Sequence, residues 1–189
     1  KIPFKERDKS DKPIQLYAAT KKSNELIATS YSHLYKFQTI GLRYFTVFGP
    51  YGRPDMSLNI FADGIRNSKK FELFNNGKMV RDFTFIENVV QANIKAALSD
   101  NKDSVNQVYN VAFGENTSLN ELVEALINGL KTLSINPSSS KVIHGPDRIG
   151  DVKHSLANIS KANNLIGYAP EYSFSKGILE TIVWYKEKL

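Results

Sequence analysis

Gln38-Thr-Ile-Gly-Leu-Arg-Tyr-Phe-Thr-Val-Phe48 is the stretch on which the fold turns. Its β-branched and aromatic residues predict a buried strand. It runs directly into Gly49-Pro-Tyr-Gly-Arg-Pro54, whose density of turn formers predicts a loop. Upstream, Pro13 opens a helical pattern through about Lys36, with apolar or small residues at Leu16, Ala19, Leu26, Ile27, Ala28 and Leu34. Before it, residues 1–12 are charged and aperiodic and read as a loop or tail. Downstream, Ser57 is the expected N-cap of a helix to about Asn67. Short strands at Phe71–Phe74 and Val80–Phe85 are separated by Asn76-Gly77, a strong turn signal.

A second long helix is predicted over Ile86–Leu98, with Val89, Val90, Ile94, Ala97 and Leu98 as its apolar stripe. Val108–Ala112 reads as a strand. Ser118-x-x-Glu121 is a capping box that opens a helix to about Leu133. A loop is expected over 136–140, then helices over about Ile159–Leu165 and Phe174–Lys188. Helices and strands therefore alternate, the pattern of an α/β fold. No internal repeat or low-complexity tract is present.

The 189 residues suffice for one ordinary domain with a sizeable core, and fall short of two full ones. An apolar fraction of 41% against 23% charged places the chain among folded proteins. No apolar run is long enough to span a bilayer and no signal peptide is visible, so neither membrane nor secretory context is expected. Cysteine is absent, which excludes disulfides, thiolate metal sites and a cysteine nucleophile. His33, His144 and His154 are too scattered for a metal site. The net charge of +6 comes from dispersed lysines, with no basic block of the kind that binds nucleic acid. A small anion such as a diphosphate accounts equally well for a few placed arginines. A cytoplasmic location fits this composition.

Tyr17-Ala-Ala-Thr-Lys21 places a phenol and an ammonium four residues apart, on one face of a helix. A cationic neighbour favours phenolate and makes a general base. The pair alone discriminates poorly, because an exposed helix pair looks the same and Tyr172-Ser-Phe-Ser-Lys176 repeats the spacing. The order of motifs is more specific. Tyr17-Ala-Ala-Thr-Lys21-Lys-Ser-Asn-Glu25 is followed by Gly41-Leu-Arg-Tyr-Phe-Thr-Val-Phe-Gly-Pro50, then by Tyr51-Gly-Arg-Pro-Asp-Met56, then by Arg81-Asp-Phe-Thr-Phe-Ile86. This series resembles the extended short-chain dehydrogenase/reductases, the NAD-dependent nucleotide-sugar epimerases and dehydratases. Within them it resembles the UDP-glucuronate 4-epimerases most strongly. The resemblance runs from Pro13 to the end and matches the C-terminal portion of that family.

The resemblance implies a Rossmann-like fold in which residues 1–56 are a remnant of the Rossmann domain, carrying the Tyr-Lys helix and one late strand. Residues 57–189 would be mainly substrate-binding, with 78–112 returning to the Rossmann part. It implies Tyr17 as the catalytic base at the sugar C4 hydroxyl and Lys21 as its partner on the nicotinamide ribose of NAD. Thr46 would face the sugar. Phe45 reads either as a nicotinamide contact or as a core aromatic. Arg53 is the expected partner of a hexuronate carboxylate, since a guanidinium matches a carboxylate in two parallel bonds; an exposed loop arginine is the alternative. Arg81 and Arg148 would contribute to the UDP site. Phe74 would lie beside the uracil, or be a core residue.

Two parts of the family pattern are missing. None of the eleven glycines forms a Gly-x-x-Gly-x-x-Gly loop for the cofactor pyrophosphate, and no Ser/Thr partner precedes Tyr17. The expectation is a parent activity of UDP-glucuronate to UDP-galacturonate epimerisation, with the isolated chain inactive and not retaining NAD. The alternatives are a catalytically dead UDP-sugar-binding remnant, or a relative of the UDP-galactose 4-epimerases or 4,6-dehydratases. Split gene, expressed segment and proteolytic fragment are all compatible with the sequence. Exposed apolar helix faces are expected, and a family-type homodimer is in doubt.

Overall fold

The computed structural model describes residues 2–133, 142–146 and 152–188. Helix α1 (Leu16–Tyr35) leads to strands β1 (Ile40–Tyr44) and β2 (Thr46–Phe48). Helix α2 (Ser57–Arg66), β3 (Phe71–Leu73), β4 (Val80–Arg81), β5 (Phe83–Phe85) and α3 (Ile86–Ala97) follow. Then come β6 (Gln107–Val111), β7 (Thr117–Ser118), α4 (Leu119–Thr132), β8 (Val142–His144), α5 (Ser160–Ile166) and α6 (Phe174–Lys188). The mixed α/β class expected from the alternation is present, and three of the four strand pairs are parallel.

The strand expected over 38–48 divides at Phe45. β1 runs parallel to β6, with Ile40 opposite Gln107, and β2 runs parallel to β5, with Thr46 opposite Phe83. The Phe45 N–H still bonds the Val111 carbonyl, whereas the Thr46 N–H turns to the Asp82 carbonyl. The strand is half-buried rather than buried, because β1 pairs along one edge only among the described strands.

Two apolar cores result. One gathers Phe48, Phe61, Phe83, Leu122, Leu126 and Ile182 between α2, α4, α6 and the β2–β5 pair. The other packs Val89 and Ala92 of α3 and Ala162 and Ile166 of α5 against Tyr109 and Val111 of β6. Burying large side chains such as these contributes about 1.5–3 kcal/mol each.

Several local expectations are revised. Asn76-Gly77 does turn the chain, with Asn75, Asn76 and Gly77 all at positive φ, but no hairpin forms. β3 pairs with β8 and β4 with β7, so tertiary partners outcompete the local one. Gly77 is required there: a Cβ would sit 2.0 Å from Asn120 Oδ1. The N-cap of α2 is Met56, with no side-chain cap bond, and Ser57 is already helical. Only part of the α3 stripe is buried: Val89 is covered, while Val90, Ile94 and Leu98 are exposed. The N-terminal segment is fastened rather than loose. Phe4 exchanges backbone hydrogen bonds with Leu156 and Asn158, and the Glu6 carboxylate accepts the Asn110 N–H. The loop expected over 136–140 lies outside the described residues.

Candidate functional site

Helix α1 has no acidic first turn and no side-chain N-cap, and it ends where Lys36 enters the left-handed region. Its apolar residues face outward; Leu16, Tyr17 and Leu34 are 82%, 70% and 66% exposed. Polar tethers hold it instead. The Glu25 carboxylate takes two bonds from Arg43, from Nε at 2.5 Å and Nη2 at 2.8 Å. Arg43 Nη1 also donates to the Glu6 carbonyl. The Arg43 bond holds the Glu25 carboxyl below the usual carboxylate range, despite partial burial. At the helix end, the Ser32 hydroxyl lies 2.6 Å from Asn106 Oδ1, close to the start of β6.

Tyr17 and Lys21 share one face of α1, as their spacing predicts, with the Lys21 ammonium 5.3 Å from the Tyr17 ring centre. The second Tyr-x-x-x-Lys match makes the tighter contact. Lys176 lies 3.6 Å above the Tyr172 ring, which itself stacks on Phe85. It is therefore a packing pair at the start of α6.

The loop after β2 is built on close approach. Gly49 has φ of +148°, and a Cβ there would strike Ile86 Cγ2 at 2.6 Å. Gly52 N–H bonds back to the Gly49 carbonyl. The Arg53 carbonyl accepts the Met56 N–H at 3.1 Å and the Asn59 amide at 2.6 Å, tying the loop to the first turn of α2. A cleft opens beside this loop, lined among others by Thr46, Gly49, Gly52, Arg53, Met56 and Phe83. The Arg53 guanidinium is paired with the Asp55 carboxylate. That pairing raises the arginine and lowers the aspartate, and Tyr17 adds a smaller electrostatic contribution to Arg53.

The predicted residues divide accordingly. Thr46 and Arg53 line the cleft, whereas Tyr17 and Lys21 stand on the exposed face of α1 and are not among its lining residues. Phe45, Phe74 and Arg81 are not among its lining residues. Phe45 is half-buried at the point where the strand changes neighbours. Phe74 is half-buried and opens a tight turn after β3, and Arg81 lies on β4 with Nη1 donating to the Val80 carbonyl. Arg148 lies outside the described residues.

One residue escaped the sequence reading. Asp82, fully buried beside Arg81, accepts the N–H groups of Phe113, Gly114 and Ala157, fastening the β4–β5 segment to the turn after β6. Burial pushes its carboxyl up to about 6 against the opposing pull of those amides. An acid directly before the aromatic strand Phe83-Thr-Phe85 is the signal that marks it, because a buried charge requires partners. No group of three or more potential metal ligands occurs among the described residues, and no helix there is long and apolar enough to cross a membrane.

The mixed α/β arrangement, with a Tyr-Lys helix followed by a strand that runs into a turn-rich loop, is Rossmann-like and of the extended short-chain dehydrogenase/reductase type. The model of the NAD dependent epimerase/dehydratase family matches residues 1–112, more than half of the chain, and the chain belongs to that family. It is 35% identical to a probable UDP-glucuronate 4-epimerase of Rhizobium meliloti, over 99% of this chain and 58% of that protein. Among solved structures, it superposes with a TM-score of 0.82 on the UDP-glucuronic acid 4-epimerase of Bacillus cereus in complex with UDP-glucuronic acid and NAD. That match is 28% identical and covers 92% of this chain and 53% of the other. It superposes with a TM-score of 0.86 on the UDP-N-acetylglucosamine 4-epimerase of Methanobrevibacter ruminantium in complex with UDP-N-acetylmuramic acid, 32% identical over 100% and 58%. The chain spans about half the length of the curated relatives it matches.

Proposed function

We propose that this chain is the sugar-nucleotide-binding portion of an NAD-dependent epimerase, and that the parent reaction inverts C4 of a UDP-hexuronic acid, UDP-glucuronate to UDP-galacturonate. The observation that carries this reading is Arg53, an arginine on the loop that lines the cleft, with Thr46 lining the same cleft. A planar donor fork is the natural partner of the carboxylate that separates a hexuronic acid from a hexose.

The residues present fit one end of NAD. Tyr17 and Lys21 on a shared, exposed helix face suit the nicotinamide ribose, with Phe45 nearby on the strand, whereas no Gly-x-x-Gly-x-x-Gly serves the pyrophosphate. NAD, when bound, supplies the hydride exchange at C4. In this reading Tyr17 takes the C4 hydroxyl proton and returns it to the opposite epimer, and Lys21 contacts the nicotinamide ribose beside it. Thr46 faces the sugar, and Phe74, Arg81 and Arg148 serve the UDP moiety. A division into a Rossmann remnant over 1–56, rejoined by 78–112, and a mainly substrate-binding remainder over 57–189 belongs to this reading, although both apolar cores draw residues from the two parts. A cytoplasmic site of action belongs to the same reading.

A neutral sugar is the second reading, from the substrate for which the N-acetylglucosamine epimerase is named, although the ligand in that structure, UDP-N-acetylmuramic acid, bears a carboxylate. Arg53→Ala decides between them. In the parent enzyme it is expected to weaken use of UDP-glucuronate at least tenfold, the scale of a lost charge-assisted pair, and to spare UDP-glucose. Equal handling of both sugars before and after the change refutes the uronate assignment. The purified chain is expected to show no turnover and no stoichiometric NAD; measured turnover overturns that.

A further inference from the structure

Arg53 and Asp55 meet side-on across Pro54, with Nε donating to Oδ1 at 3.0 Å and Nη2 to Oδ2 at 2.5 Å. This uses one edge of the guanidinium. A second bidentate edge, Nη1 with Nη2, lies at its end, and Nη1 makes no hydrogen bond among the described residues. Arg53 lines the cleft, and Asp55 does not. The backbone under the pair is fixed by the Met56 N–H and the Asn59 amide on the Arg53 carbonyl, and by the locked φ of Pro54. Asp55 therefore holds the Nε edge from outside the cleft, on a turn that does not move to accommodate it.

We propose that Asp55 is a positioning residue that sets the specificity of this site for carboxylate-bearing nucleotide sugars, by holding Arg53 so that its end edge is presented to the sugar carboxylate. The proposal rests on the reading of Arg53 given above. Two effects of Asp55 oppose each other. Its negative charge repels an anionic ligand, but both side chains are largely solvent-exposed, and a charge one guanidinium away is weakened by water and salt. An unrestrained arginine must instead give up the rotamer freedom of a long side chain when it binds. The second effect is larger, so the net action of Asp55 is to strengthen uronate binding.

Isothermal titration of the 189-residue chain with UDP-glucuronate and with UDP-glucose tests this. Asp55→Asn keeps the shape of the side chain and removes its charge. It is expected to raise Kd for UDP-glucuronate about three- to tenfold, the size of a preorganisation effect, while the UDP-glucose value stays within about twofold. Asp55→Glu is expected to restore part of the loss. In an Arg53→Ala background, Asp55→Asn is expected to change nothing, since the arginine is the route of its action. Tighter or unchanged uronate binding in Asp55→Asn, equal loss for both sugars, or an effect that survives Arg53→Ala each overturns the proposal while leaving Arg53 as carboxylate partner. If the unsubstituted chain shows no preference for the uronate, the Arg53 reading itself falls and takes this proposal with it.

Discussion

Asp82 shows how much one buried side chain decides. It lies between three backbone N–H donors, which favour the carboxylate, and a dry environment, which favours the acid, and burial prevails at about 6. The ordinary value is 3.8, so the folded state binds this proton more tightly than the unfolded chain. The contribution to stability is then full below about 3.8 and lost as pH rises through about 6, on the order of 3 kcal/mol in all. A carboxyl-detected NMR titration is expected to give a midpoint near 6; a midpoint below the ordinary value would mean that the amides outweigh burial. Arg53 was legible as a candidate through the resemblance of its Gly-Arg-Pro-Asp-Met segment and the match of a guanidinium to a carboxylate. Its engagement by Asp55 was not, since two residues at this spacing face one another only if the backbone turns between them.

At the scale of elements, the capping box was legible in full. Ser118 and Glu121 exchange both bonds, and the Ser118 N–H holds the Glu121 carboxyl below its usual range. Ser118→Ala is expected to cost about 1 kcal/mol and to lower Tm, as measured by calorimetry, because the Glu121 N–H in the first turn of α4 loses its acceptor. Helix α1 behaves differently. Sequence periodicity located it correctly, yet its apolar face packs on nothing among the described residues, and the Glu25–Arg43 pair and the Ser32–Asn106 contact fix its position. Glu25→Ala is therefore expected to accelerate amide exchange throughout α1 while α4 and β5 keep their protection. Uniform loss of protection would show that α1 is instead part of the main cooperative unit. The Asn76-Gly77 hairpin failed for the opposite reason. The local signal was sound, but β7 and β8, distant in sequence, captured the strands on either side.

The whole molecule joins a well-packed half to an open one. Leu122, Leu126 and Ile182 are sealed in the core, while Leu26, Ile27 and Tyr31 of α1 and Val90, Ile94 and Leu98 of α3 are exposed. Contiguous apolar surface of this kind drives association. Light scattering across a dilution series is expected to show concentration-dependent oligomers, and Leu26→Glu with Leu34→Glu should shift them toward monomer; a monodisperse monomer throughout would contradict this. The sequence by itself determined the α/β class, the helix limits to within a few residues and the family motifs, since periodicity, caps and turn chemistry act over a few neighbouring residues; Tyr17, Lys21, Thr46 and Arg53 are candidates through the resemblance those motifs carry. Only the tertiary structure decided which strands pair, that the strand changes partner at Phe45, that α1 is held by ion pairs, and that Arg53 is gripped by Asp55. Those outcomes depend on groups far apart in the chain or on the fold of a single turn, and no local pattern encodes them.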